Sequence, residues 1–127
     1  MRTVDSKRTF KTARFAKDAR KAKINDDELC LAIQQVQLGQ AVDLGGGVFK
    51  KRLNNNQHRS MILAKGGNYW IFEYLFAKRN RTNIESDELL AFRLLANNYA
   101  ALTKIQLRQL LMNRDFVEIC HDDKKEI

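Results

Sequence analysis

The chain has 127 residues, 44% of them hydrophobic, with seven Phe and no Pro, enough for one domain with a real core over residues 1–127. A formal net charge of +8 and a pI near 9.7 favour a polyanionic partner. No apolar run reaches membrane-spanning length and the basic N-terminus lacks the apolar stretch of a secretory signal, which argues against a membrane partner and for a cytoplasmic protein.

In chain order, Arg8 to Thr12 predicts a short strand and Ala13 to Lys23 a helix. Phe15, Ala16, Ala19 and Ala22 form one stripe of that helix, and Arg14, Lys17, Arg20 and Lys21 lie outside it. Asn25 is positioned to cap a second helix, with Glu28 three residues on to complete a capping box. Leu29, Ile33 and Val36 line its inner face and Gly39 is a natural stop. Gly45-Gly46-Gly47 lacks the frame of a phosphate loop and reads as a turn or bulge.

From Val48 the apolar period switches to two. Val48 to Leu53, His58 to Ala64 and Tyr69 to Ala77 read as a three-strand meander, the last strand central and covered on both faces. Ser86 opens a further helix with Asp87 and Glu88 in its first turn and Leu89, Leu90, Leu94 and Leu95 as its packing stripe. Thr103 and Gln106 form a capping box for the next, with Ile105, Leu107, Leu110 and Leu111 apolar. Phe116 to Cys120 reads as a closing edge strand, and residues 121–127 as a charged, flexible tail. The expected class is α+β, with an N-terminal helical hairpin and C-terminal helices packed on a small antiparallel sheet.

The charge is blocky. Residues 1–23 hold nine Lys/Arg against two acids, residues 24–47 hold four acids and no base, and residues 48–81 hold eight bases against one acid. Strand alternation puts Lys50 and Arg52 on the face opposite Phe49 and Leu53, with Lys51 left to snorkel. If the meander pairs in order, Arg59 and the cluster Lys78, Arg79 and Arg81 converge on the same groove. Cations without adjacent carboxylates suit a phosphodiester, and crowding can lower a lysine pKa enough for proton transfer. His58 and His121 read as plain polar residues. Cys30 and Cys120 sit far apart without CxxC spacing and read as buried small hydrophobes rather than as a metal site or a disulfide. Asp26, Asp27 and Glu28 are helix-start acids, so neither a metal nor another cofactor is expected.

Three segments resemble the RelE/ParE toxin superfamily of type II toxin–antitoxin systems, and most closely a RelE-like (HigB-like) subgroup. They are Arg8-Thr9-Phe10-Lys11-Thr12, then Leu44-Gly45-Gly46-Gly47-Val48-Phe49-Lys50-Lys51-Arg52, then Phe76-Ala77-Lys78-Arg79-Asn80-Arg81-Thr82-Asn83-Ile84 before Glu88-Leu89. The match spans roughly residues 8–120. Two departures stand out. Asn55-Asn56-Gln57-His58-Arg59 lacks the glycines usual before the second meander strand, and no aromatic residue stands at Ile84 or Glu85, where some members carry a stacking tyrosine.

The resemblance implies a metal-independent endoribonuclease that cuts mRNA in the ribosomal A site, with the ribose 2′-OH attacking the adjacent phosphate. Lys50, Arg52, Arg59 and Arg79 would be the catalytic set, and Lys51, His58, Lys78 and Arg81 would bind RNA. The partners implied are the small ribosomal subunit with its mRNA and a helix-turn-helix antitoxin. Two other functions fit the same resemblance: a ParE-like inhibitor of DNA gyrase, and a non-catalytic RNA-binding regulator. The retained basic set favours the ribonuclease.

Overall fold

The computed structural model describes residues 7–121. Strand β1 (Arg8–Thr12) leads into helix α1 (Ala13–Lys21) and helix α2 (Asp26–Gln37). Four strands follow: β2 (Val42–Gly45), β3 (Val48–Leu53), β4 (His58–Leu63) and β5 (Tyr69–Ala77). The chain then forms α3 (Ser86–Ala100), α4 (Lys104–Met112) and β6 (Phe116–Ile119). The predicted tail lies outside the described residues apart from His121. Among the described residues no helix is long and apolar enough to cross a membrane.

The strands make one six-stranded sheet in the order β2-β3-β4-β5-β1-β6. The meander pairs antiparallel as expected, and β5 is internal, flanked by β4 and β1. Two features of the expected class are corrected. The sheet is mixed, because β1 runs parallel to β5 with Arg8 opposite Tyr69 and Lys11 opposite Phe72. Among the described residues strand β1 also comes first, so the α1–α2 pair is inserted between sheet strands rather than leading the domain. Strand β2 was not foreseen. It is short and exposed and carries a register shift between Asp43 and Gly45, so it lacks a clean alternation.

Helices cover both faces of the sheet. On one face Phe15 and Ala19 of α1 and Leu29, Ala32 and Ile33 of α2 pack on Leu53, Ile62, Trp70, Phe72 and Leu75. On the other, Ala96 of α3 and Leu107 of α4 close over Phe10, Val48, Met61, Leu63, Ile71, Phe76 and Phe116. This double cover is why β5 reads as nearly continuous apolar sequence. Each fully buried Phe or Leu side chain contributes about 1.5–3 kcal/mol relative to exposure.

Local signals account for most boundaries. Thr12 Oγ1 accepts from Phe15 N and starts α1, Asn25 Oδ1 accepts from Glu28 N and starts α2, and the Thr103–Gln106 box forms at α4. Helix α3 starts at Ser86 as expected, with Glu85 as its cap and the Glu85 N–H donating to Glu88 Oε1. Its packing face is Leu89, Phe92, Leu95, Ala96 and Tyr99, so Leu90 and Leu94 are about 63% and 62% exposed. The stripe expected from leucines alone straddled the true face, because Phe and Tyr outweigh Leu in apolar area.

The three glycines do serve a turn. A Cβ on Gly46 would sit 2.5 Å from the Arg93 side chain, and one on Gly47 would sit 2.8 Å from the Lys65 side chain. Their φ angles of 66° and 87° favour glycine as well. The space they leave lets Arg93 donate to the carbonyls of Leu44 and Gly45, which ties α3 to the β2–β3 hairpin.

The cysteine reading is overturned. Cys30 and Cys120 form a disulfide with a Cα–Cα distance of 5.5 Å, and both are only partly buried. Helix α2 lies across the sheet so that Cys30 meets the chain leaving β6, a meeting hidden by 90 positions of separation. Cys120 adopts a left-handed φ of 64°, which turns the chain after β6.

Candidate active site

Register, rather than sequence proximity, assembles the basic set. Across the meander Lys50 stands opposite Met61, which stands opposite Tyr74; one row further, Arg52 stands opposite Arg59, which stands opposite Phe76. Directly paired residues share a face, so Lys50, Arg52 and Arg59 lie together on the face that α3 and α4 partly cover. Ala96 of α3 covers the Val48 end of this face. The cations occupy the other end, over a floor of buried Met61 and Phe76.

Two like charges facing each other across an antiparallel pair are destabilising. The Arg52–Arg59 pairing is therefore a cost that folding alone does not require. Among the described residues none of Lys50, Arg52 and Arg59 is ion-paired. The Arg59 guanidinium uses Nη1 to donate to the carbonyls of Asn56 (3.0 Å) and His58 (3.1 Å). A guanidinium has five N–H donors, so it can still grip an anion while held in this way. Lys50 Nζ donates weakly to Asn83 Oδ1 at 3.4 Å. Asn83 was not singled out by its chemistry, although it stands in the third of the three family-like segments.

The other sequence-predicted residues are distributed differently. Lys51 points to the opposite face, opposite buried Ser60, and its pKa is lowered by burial and then by Arg52. His58, Lys78 and Arg79 line a separate pocket of about 260 Å³ with Gln57 and Ala77. Burial and then Arg79 lower the His58 pKa, with Glu28 acting the other way. The His58 Nδ1 lies 3.2 Å from Asn54 Nδ2, an amide donor, which makes Nδ1 the acceptor and leaves the proton on Nε2.

Arg81 is sequestered in a structural role. It donates to Glu88 Oε1 (2.6 Å) and Oε2 (3.2 Å), to the Tyr74 hydroxyl (3.2 Å) and to the Asn83 carbonyl (3.0 Å), and its guanidinium lies 5.5 Å from the Phe76 ring centroid. The carboxylate of Glu88 and the Tyr74 hydroxyl raise its pKa, and Arg81 together with the Glu85 N–H holds Glu88 below the usual carboxylate range. Arg81 thereby fastens residues 78–85 to α3, and this brings Asn83 to Lys50. Among the described residues no three His, Cys, Asp or Glu side chains gather as metal ligands.

A mixed sheet carrying an open cationic row defines a basic α+β protein. Residues 7–119 match the family model of the RelE toxin of the RelE/RelB toxin–antitoxin system, and the chain belongs to that family. It is thus a toxin of a toxin–antitoxin system, with a cognate antitoxin as the implied partner. Searches of curated proteins and of solved structures returned no match.

Proposed function

We propose that this toxin is a ribosome-dependent mRNA endoribonuclease that arrests translation in the cytoplasm, restrained by a helix-turn-helix antitoxin. The observation that carries the reading is the unpaired row of Lys50, Arg52 and Arg59 at the end of the face that α3 leaves open, with two arginines directly opposed at a cost to the fold.

The chemistry suited to such a row is attack of a ribose 2′-hydroxyl on the adjacent phosphate. The new P–O bond closes a 2′,3′-cyclic phosphate, and the bond to the 5′-oxygen breaks. The 2′-proton passes to water while Lys50 or Arg52 assists by steadying the oxyanion it leaves, and the departing 5′-oxygen takes a proton back. Arg59, held by two carbonyls, neutralises charge growing on the non-bridging oxygens. Arg79 assists the departing 5′-oxygen, while His58 and Lys78 in the adjacent pocket hold the flanking nucleotide. Lys51, on the opposite face, stays outside this row, and Arg81 serves the site by fixing residues 78–85.

The test is in vitro translation with primer extension of the mRNA. Ribosome-dependent cuts that disappear in Lys50→Ala, Arg52→Ala and Arg59→Ala support the reading. Intact mRNA together with inhibited DNA supercoiling would replace it with gyrase inhibition. Intact mRNA and normal supercoiling would leave a non-catalytic RNA-binding regulator.

A further inference from the structure

We infer that Glu28 of α2 is a positioning residue for the proposed ribonuclease site, holding the β3–β4 turn in the one conformation that presents Arg59 and His58. This rests on the reading of that site as catalytic. Asn54, Asn55 and Asn56 all have left-handed backbones, with φ of 55°, 51° and 70°. Asparagine tolerates this region better than most residues, but three in succession store strain that the surroundings must offset.

The turn is restrained from several sides. Glu28 Oε2 accepts from the Asn54 N–H, and Gln57 N donates to the Asn54 carbonyl at 3.0 Å. Lys78 N donates to the Gln57 carbonyl at 2.8 Å, and Arg59 Nη1 closes on the Asn56 carbonyl. The Asn54 side chain in turn sets the His58 ring.

Of these contacts only the one from Glu28 comes from outside the sheet and its loops. Residue 28 stands at the third helical position, where a capping box would turn its carboxylate back to the helix start. Here the Asn25 side chain caps alone and the carboxylate reaches across to the turn instead. The helix forgoes one local bond, and the site gains an anchor rooted in α2. That helix is itself fixed by the Lys11–Asp26 pair (2.7 Å) and by the Cys30–Cys120 bond.

Glu28→Ala removes the acceptor, and Glu28→Gln keeps an acceptor oxygen without the charge. With folding checked by circular dichroism, Glu28→Ala is expected to slow mRNA cleavage on translating ribosomes by about 10- to 100-fold per folded molecule, the scale of a misplaced catalytic group. Glu28→Gln is expected to recover most of that loss. An Ala variant as active as the wild type, or a Gln variant as impaired as Ala, overturns the inference.

A second measurement does not depend on cleavage. Amide exchange at Asn54 should accelerate in Glu28→Ala but not in Glu28→Gln, and the His58 titration should move down in both, since Arg79 then acts without the opposing carboxylate. Unchanged Asn54 exchange in Glu28→Ala refutes the anchor even if the wild type cleaves no RNA. Faster Asn54 exchange in Glu28→Ala, together with a wild type that cleaves nothing, refutes the ribonuclease reading instead and, with it, the positioning role.

Discussion

Replacing Cys30 and Cys120 together by serine tests how this small domain is held. The crosslink joins positions 90 apart, so it encloses most of the chain. In the chain-entropy account a loop of about 90 residues loses roughly 15 cal/mol/K of unfolded-state entropy, or about 4.6 kcal/mol at 25 °C. Unfolding entropy near 2.1 cal/mol/K per residue gives roughly 270 cal/mol/K for a chain of this size. The ratio is a drop of about 17 °C in Tm, and about 10 °C if reduced chains retain some structure.

The assay is thermal unfolding followed by circular dichroism. Oxidised protein, protein in excess dithiothreitol and C30S/C120S would be compared, with the thiol state of each confirmed by intact mass. The reduced protein and the double variant should melt together, well below the oxidised form. Oxidised and reduced forms melting within about 3 °C of each other would refute the entropic reasoning. A peptide map of air-oxidised protein lacking the Cys30–Cys120 link would refute the placement of α2 against the end of β6.

Other outcomes follow from the site and its supports. Arg52→Thr should stabilise the fold by about 0.2–1 kcal/mol by relieving the repulsion with Arg59, while cutting mRNA cleavage at least about 100-fold; denaturant unfolding and primer extension read the two effects. Burial raises the Glu73 pKa against the Tyr99 hydroxyl, which donates to Oε1 at 2.7 Å. A raised folded-state value means stability present below the unfolded carboxylate pKa and lost as pH rises through the folded one. Glu73→Gln, which keeps the acceptor, should therefore raise Tm at pH 7 and change little near pH 4, as read from melts across that range. Arg81→Ala should lower Tm and slow cleavage together by releasing residues 78–85 from Glu88, and Arg81→Lys should not restore either, because an ammonium cannot fork onto both carboxylate oxygens.

Much of the fold was legible because its signals are local. The side-chain caps at Asn25 and Thr103, the period-two strands and the apolar run of β5 each depend on residues within a few positions of one another. Strand β2 and the face of α3 were not legible. A four-residue exposed strand has little pattern, and a helix rich in leucine on several sides offers more than one plausible stripe. The row of Lys50, Arg52 and Arg59 could be anticipated because alternation and an antiparallel meander suffice to align it. The separation of His58, Lys78 and Arg79 into their own pocket could not, since it depends on how the turn and residues 78–85 fold back. Arg81 looked like one more cation for the groove, and only Glu88 and Tyr74 brought alongside it make it a fastener.

By itself the sequence determined the element types, the basic character of the meander and the family resemblance, because composition and short-range periodicity are set by neighbouring residues. The tertiary structure decided what depends on distant residues meeting. The parallel β1–β5 pairing, the Cys30–Cys120 bond and the reach of Glu28 to Asn54 are of this kind. Each joins segments at least 26 positions apart, and no local propensity specifies such a meeting before the core has closed around it.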